Sequence, residues 1–93
     1  MKLTDRFSTS GDVVSREVGG ETVLLDLASG LYFGLDPVGG RIWELLAEKA
    51  QSLADLCNVI EQEYDAPREV IEADMVALAA DLKERSLIVA EAS

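Results

Sequence analysis

Apolar residues fall at alternate positions through the first third of the chain and at every third or fourth position afterwards, so strands are predicted before residue 36 and helices after it. Val13 to Val18 and Glu21 to Leu27 flank Gly19-Gly20, a pair suited to the positive backbone angles of a tight hairpin. A second hairpin is predicted at Ala28-Ser29-Gly30. As a three-residue turn closed by glycine, it would pair Leu27 with Leu31, Leu25 with Phe33 and Val23 with Leu35. Those side chains would share one face of the sheet, and Leu24, Asp26, Tyr32 and Gly34 would take the other. Residues 1–12, ending in Ser8-Thr9-Ser10-Gly11-Asp12, show no sustained period and read as a flexible N-terminal arm.

The helical pattern opens at Asp36-Pro37, a cap followed by a first-turn proline, and continues through Ile42, Trp43, Leu45 and Leu46, with Gly39-Gly40 weakening the first turn. Ser52-Leu53-Ala54-Asp55 reads as a capping box with Asp in place of Glu, and it opens a stripe of Leu53, Leu56, Cys57, Ile60 and Tyr64. Ala66-Pro67 starts a third helix with Ile71, Met75, Leu78 and Leu82 on one face. That helix runs to about Arg85, with Lys83 and Arg85 near its negative end, and Leu87-Ile88-Val89 follows as a short apolar return. The predicted fold is one α+β domain over residues 13–90, winged helix-turn-helix-like, with a three-stranded antiparallel meander followed by three helices.

Composition narrows what such a domain does. A chain of 93 residues holds one small core, and an enclosed catalytic cavity would have to be carved from it, which favours a binding module. The sequence contains no histidine, no glycine-rich phosphate loop and a single cysteine, Cys57, so no enzyme activity, catalytic residue, metal or cofactor is expected, and Cys57 reads as a small buried hydrophobe. No apolar run is long enough to span a membrane, and Met1-Lys2-Leu3-Thr4-Asp5-Arg6 lacks the apolar stretch of a secretory signal, so a cytoplasmic protein without a membrane partner is expected.

Charge adds a partner class and removes another. The net charge is −10, and residues 44–93 hold twelve acids against four bases. Such a surface repels phosphate backbones and steers basic peptides inward. The third helix, the natural DNA reader of a helix-turn-helix domain, has five acids against three bases between residues 67 and 85, so nucleic acid is not the expected partner.

What remains is the edge of the sheet. Leu31-Tyr32-Phe33-Gly34-Leu35 would have one neighbour only, and it contains neither the lysine nor the proline that usually blunts an edge. Gly34 within it has two readings: a bulge or helix contact, or a place where a second backbone comes close and pairs as an added strand.

The run Gly30-Leu31-Tyr32-Phe33-Gly34-Leu35-Asp36-Pro37-Val38-Gly39-Gly40-Arg41-Ile42-Trp43-Glu44-Leu45-Leu46, with Glu21 to Asp26 before it and Leu78 to Leu87 after it, resembles the PqqD-like family of peptide-modification chaperones, or RiPP recognition elements. It is most similar to the stand-alone leader-binding proteins of lasso-peptide biosynthesis. The resemblance covers about residues 11–90. It implies non-catalytic capture of a precursor's leader peptide as an added strand, and delivery to a leader protease or other peptide-modifying enzyme. Many relatives have Asn where this chain has Asp36; both residues cap helices.

Carried onto this sequence, the resemblance places the peptide along the backbone of Leu31, Tyr32, Phe33, Gly34 and Leu35, with Val70, Asp74, Ala77 and Asp81 of the third helix across the groove. The two aspartates would meet basic side chains, and the small Ala77 would leave room for a bulky one. Three alternatives stay open: a winged-helix nucleic-acid-binding regulator, a peptide chaperone for a radical SAM enzyme as in pyrroloquinoline quinone biosynthesis, and a catalytic subunit acting on the peptide itself. A weak homodimer through the open edge is also left open.

Overall fold

Gly19 and Gly20 take φ angles of 61° and 86°, the left-handed pair that lets two strands reverse without a loop. They join β2 (Val13–Val18) to β3 (Glu21–Asp26), which in turn pairs with β4 (Tyr32–Leu35). The computed structural model describes residues 1–91, and there the sheet β2-β3-β4 is the expected antiparallel meander.

Its register differs from the expected one by one residue. The Asp26 carboxylate accepts from the Ala28 N–H at 3.0 Å and from the Ser29 hydroxyl at 2.9 Å, while the Gly30 N–H returns to the Asp26 carbonyl at 2.7 Å. Asp26 thereby organises the turn from inside the strand, and Leu27 joins the loop instead of the ladder. Leu24 therefore faces Phe33, and Thr22 faces Leu35. A one-residue slip exchanges the two faces of β3 against β4. Leu24 becomes fully buried, whereas Leu27 and Leu31, expected to share a face with Leu25, Phe33, Val23 and Leu35, are 59% and 58% exposed. Tyr32 and Gly34 keep the outward direction expected of them.

The three helices form where capping and periodicity place them. The Asp36 carboxylate accepts from the Gly39 N–H at 2.7 Å at the start of α1 (Pro37–Glu48). The Ser52 hydroxyl accepts from the Asp55 N–H at 3.1 Å at the start of α2 (Leu53–Glu63), which follows β5 (Gln51–Ser52). The third helix, α3 (Arg68–Glu84), buries Ile71, Met75, Ala79 and Leu82, with Leu78 half-buried. Gly39 and Gly40 are more than weak helix formers: a side chain on Gly40 would collide with Thr22 Oγ1, so its smallness lets α1 lie directly on β3, while one on Gly39 would press on Leu35 and the capping Asp36 carboxylate.

The N-terminal segment departs most from expectation. Arg6–Thr9 forms β1, between β5 and β6 (Ile88–Glu91), in a second antiparallel sheet ordered β5-β1-β6. Phe7 is 1% exposed and packs in the core with Leu87 and Ile88. The arm is ordered because Phe7 supplies apolar burial and the ends of the chain supply each other's backbone partners. Gln51, the one buried polar side chain among the described residues, donates to the Leu45 carbonyl at 2.8 Å and ties the end of α1 to this sheet. The architecture is α+β and winged-helix-like, extended by a second small sheet.

Candidate functional site

Among the described residues, β4 has a strand neighbour, β3, on one side only. The Asp26 N–H donates to the Leu31 carbonyl at 3.0 Å, which makes Asp26–Leu31, Leu24–Phe33 and Thr22–Leu35 the hydrogen-bonded pairs of this ladder. Backbone direction alternates along a strand, so Phe33 and Leu35 direct their N–H and C=O groups to β3. Those of Tyr32 and Gly34 turn to the open side.

Across that side lies the end of α3. A cavity of about 300 Å³ separates the two, lined by Tyr32, Phe33, Gly34 and Leu35 from the strand, Asp81, Leu82 and Arg85 from the helix end, and Leu87. A second cavity, of about 290 Å³, is walled by Asp36, Val38 and Ile42 on one side and by Val70, Ile71, Asp74, Met75 and Leu78 on the other, with Ile60 and Tyr64 behind. Asp36 directly follows β4, and Asp74 precedes Asp81 by two helical turns, so the cavities succeed one another along one flank of α3.

Gly34 has no internal reason to be glycine. Its φ is not in the left-handed region, the register through it is continuous, and a side-chain carbon there would meet no atom within 4 Å. A bulge or a helix contact is therefore ruled out as its explanation.

The sequence-predicted positions divide. Tyr32, 70% exposed, and Gly34 present backbone to the groove, whereas Phe33 and Leu35 contribute side chains, with Leu35 belonging to the core. Leu31 lies just outside the strand with its carbonyl already bonded to Asp26. Val70, 49% exposed, and Asp74 line the second cavity together. Ala77 is exposed and lines neither cavity. Asp81 lines the first, but its Oδ1 already accepts from Arg85 Nε at 3.0 Å. Among the described residues, only Asp74 of the two aspartates presents an unpaired carboxylate.

Sequence reasoning missed Arg85 and Tyr64 as lining residues. The i,i+4 spacing of Asp81 and Arg85 signals their ion pair, but the guanidinium also lies 4.9 Å from the centroid of the Phe33 ring, a contact between elements far apart in the chain. Beside the second cavity, Arg41 of α1 grips Glu63 of α2 through Nε to Oε1 and Nη2 to Oε2, both at 2.9 Å. That fork holds the Glu63 carboxyl below its usual range and raises the Arg41 guanidinium further. Burial pushes the Cys57 thiol up, away from reactivity. Among the described residues no group of His, Cys, Asp and Glu is placed to hold a metal ion, and no helix is long and apolar enough to cross a membrane.

An open strand edge, two adjoining cavities and a helix flank make a binding module for an extended ligand. The profile of the family described as coenzyme PQQ synthesis protein D (PqqD) matches residues 21–88, and the chain belongs to that family. A solved structure of TbiB1 in complex with the TbiA(beta) leader peptide is similar over 92% of this chain and 99% of that one, at 37% identity and a TM-score of 0.82. A solved structure of lasso peptide synthetase B1 complexed with the leader peptide is similar over 89% of this chain and 96% of that one, at 29% identity and a TM-score of 0.78. No curated protein sequence matches the chain.

Proposed function

We propose that this protein binds the leader region of a ribosomally synthesised precursor peptide as a strand added to β4, and presents the peptide to a separate processing enzyme without catalysing a reaction itself. The observation behind this reading is the outward N–H and C=O of Tyr32 and Gly34 facing a cavity whose far wall is α3. Backbone pairing there supplies affinity, and the cavities on the α3 side receive alternate side chains of the incoming strand. A lasso-type leader is favoured over a quinone-cofactor precursor by the leader-peptide complexes of the two similar structures, and on that reading the receiving enzyme is a leader protease in the cytoplasm. Without peptide, the same edge is free to pair weakly with that of a second copy.

Fluorescence anisotropy with the labelled leader of the precursor encoded beside this gene tests the reading. Gly34→Pro removes one outward donor and leaves the β3 ladder bonded. Its expected effect is a loss of affinity of at least about tenfold with retained cooperative unfolding. Duplex DNA binding at physiological salt, with the peptide ignored, would overturn the reading in favour of a nucleic-acid regulator.

A further inference from the structure

The two ends of the groove differ in charge: Asp74 lines one without an ion pair among the described residues, and the Asp81–Arg85 ion pair lines the other. Arg41 uses Nε and both terminal nitrogens on carboxylates, and Arg68 uses Nε and Nη1 on Glu72, Asn58 and Glu61. Arg85 uses Nε alone, on Asp81, and its terminal nitrogens have no partner among the described residues. The guanidinium is nevertheless held in place, by Asp81 on one edge and by the Phe33 ring, over which Cζ lies 4.9 Å from the centroid. It stands in the wall of the cavity onto which Tyr32 and Gly34 open, in a chain whose net charge is −10.

We propose that Arg85 is a specificity-determining residue of the groove, whose terminal nitrogens receive the carboxylate of an Asp or Glu in the peptide strand laid along β4. The assignment rests on the strand-addition reading above and adds what that strand must contain. Guanidinium is a planar fork with five donors, so it holds Asp81 through Nε and a second carboxylate through its terminal edge at once. Restraint by Phe33 and Asp81 lowers the ordering cost of that second contact. At the other end of the groove Asp74, unpaired, favours a basic residue. A peptide with an acidic residue facing Arg85 and a basic one facing Asp74 is thus fixed in both register and direction, which backbone pairing alone leaves degenerate.

The test is selection from a display library of random short peptides on immobilised wild-type protein, Arg85→Gln and Arg85→Glu, with Gly34→Pro as the control for use of the β4 edge. Circular dichroism and thermal unfolding establish that each variant is folded, as expected for a half-exposed side chain. Wild-type selection is expected to enrich Asp or Glu at one fixed position, and replacing that residue by Ala should cost about tenfold in affinity. The cost should fall below about twofold on Arg85→Gln, and Arg85→Glu should select Lys or Arg at the same position. If all three proteins select the same motif and its binding is lost in Gly34→Pro, strand addition stands and the role of Arg85 is refuted. If no selected peptide depends on Gly34, strand addition on β4 fails, and the Arg85 assignment falls with it.

Discussion

Gly40 of α1 sits so close to Thr22 of β3 that a side-chain carbon on it would strike Thr22 Oγ1 and lie 3.1 Å from Thr22 Cβ. This contact sets the distance between the first helix and the sheet that ends in the open edge. Alanine raises helix propensity at the position, which alone would stabilise, but threonine is stiff at its first torsion and yields poorly. Gly40→Ala is therefore expected to destabilise by about 1–3 kcal/mol, as overpacking usually does. In a Thr22→Ala background the cost should fall, a coupling that urea denaturation of the double-mutant cycle measures directly.

Of the two aspartates of α3, Asp74 has no ion pair among the described residues and Asp81 is paired with Arg85. Asp74→Asn is expected to slow association of a leader with basic residues at low salt and to flatten its salt dependence, with little change in stability. Asp81→Asn acts differently, since it frees Arg85 and leaves the groove more positive. Stopped-flow association at low and high salt separates the two; equal loss of on-rate in both variants would mean that the net charge of the protein, and not the position of Asp74, steers the peptide.

The Arg41–Glu63 fork joins α1 to the end of α2 beside Ile42 and Tyr64, which line the second cavity. Because the folded-state pKa of Glu63 is depressed, its contribution to stability is complete above the unfolded glutamate range, near about 4.3, and is lost as pH falls through the lower folded value. Arg41→Gln is expected to reduce stability at neutral pH and to flatten the stability profile on the acid side. Chemical denaturation between neutral and strongly acidic pH checks this, and parallel profiles for the two proteins would contradict it.

The elements with local signals were legible in the sequence. Asp36, Ser52 and the Gly19-Gly20 pair each act through neighbours a few residues away, and the helices and first hairpin stand where those residues place them. Two features depended on something else. The second hairpin's register was decided by the Asp26 carboxylate bonding into the turn, which a count of turn residues does not reveal. The strand Arg6–Thr9 has a single core residue, Phe7, and pairs with Ile88–Glu91 from the opposite end of the chain, so neither periodicity nor local propensity marks it. Of the nine candidate site residues, Tyr32, Phe33, Gly34, Leu35 and Asp81 line the first cavity and Val70 and Asp74 the second, while Leu31 and Ala77 line neither and Arg85 had no sequence signal beyond its helical spacing to Asp81.

Strand addition on β4 makes a residue-by-residue prediction for amide hydrogen exchange followed by NMR as leader peptide is added. Phe33 and Leu35 direct their N–H groups to β3, so their exchange should change little beyond the overall gain in stability. The amides of Tyr32 and Gly34, which point to the open side, should slow by about tenfold or more at saturation, because each gains a partner in the bound peptide. Saturating peptide that leaves Tyr32 and Gly34 exchanging as before, with new protection on β2 or β6 instead, would contradict the account.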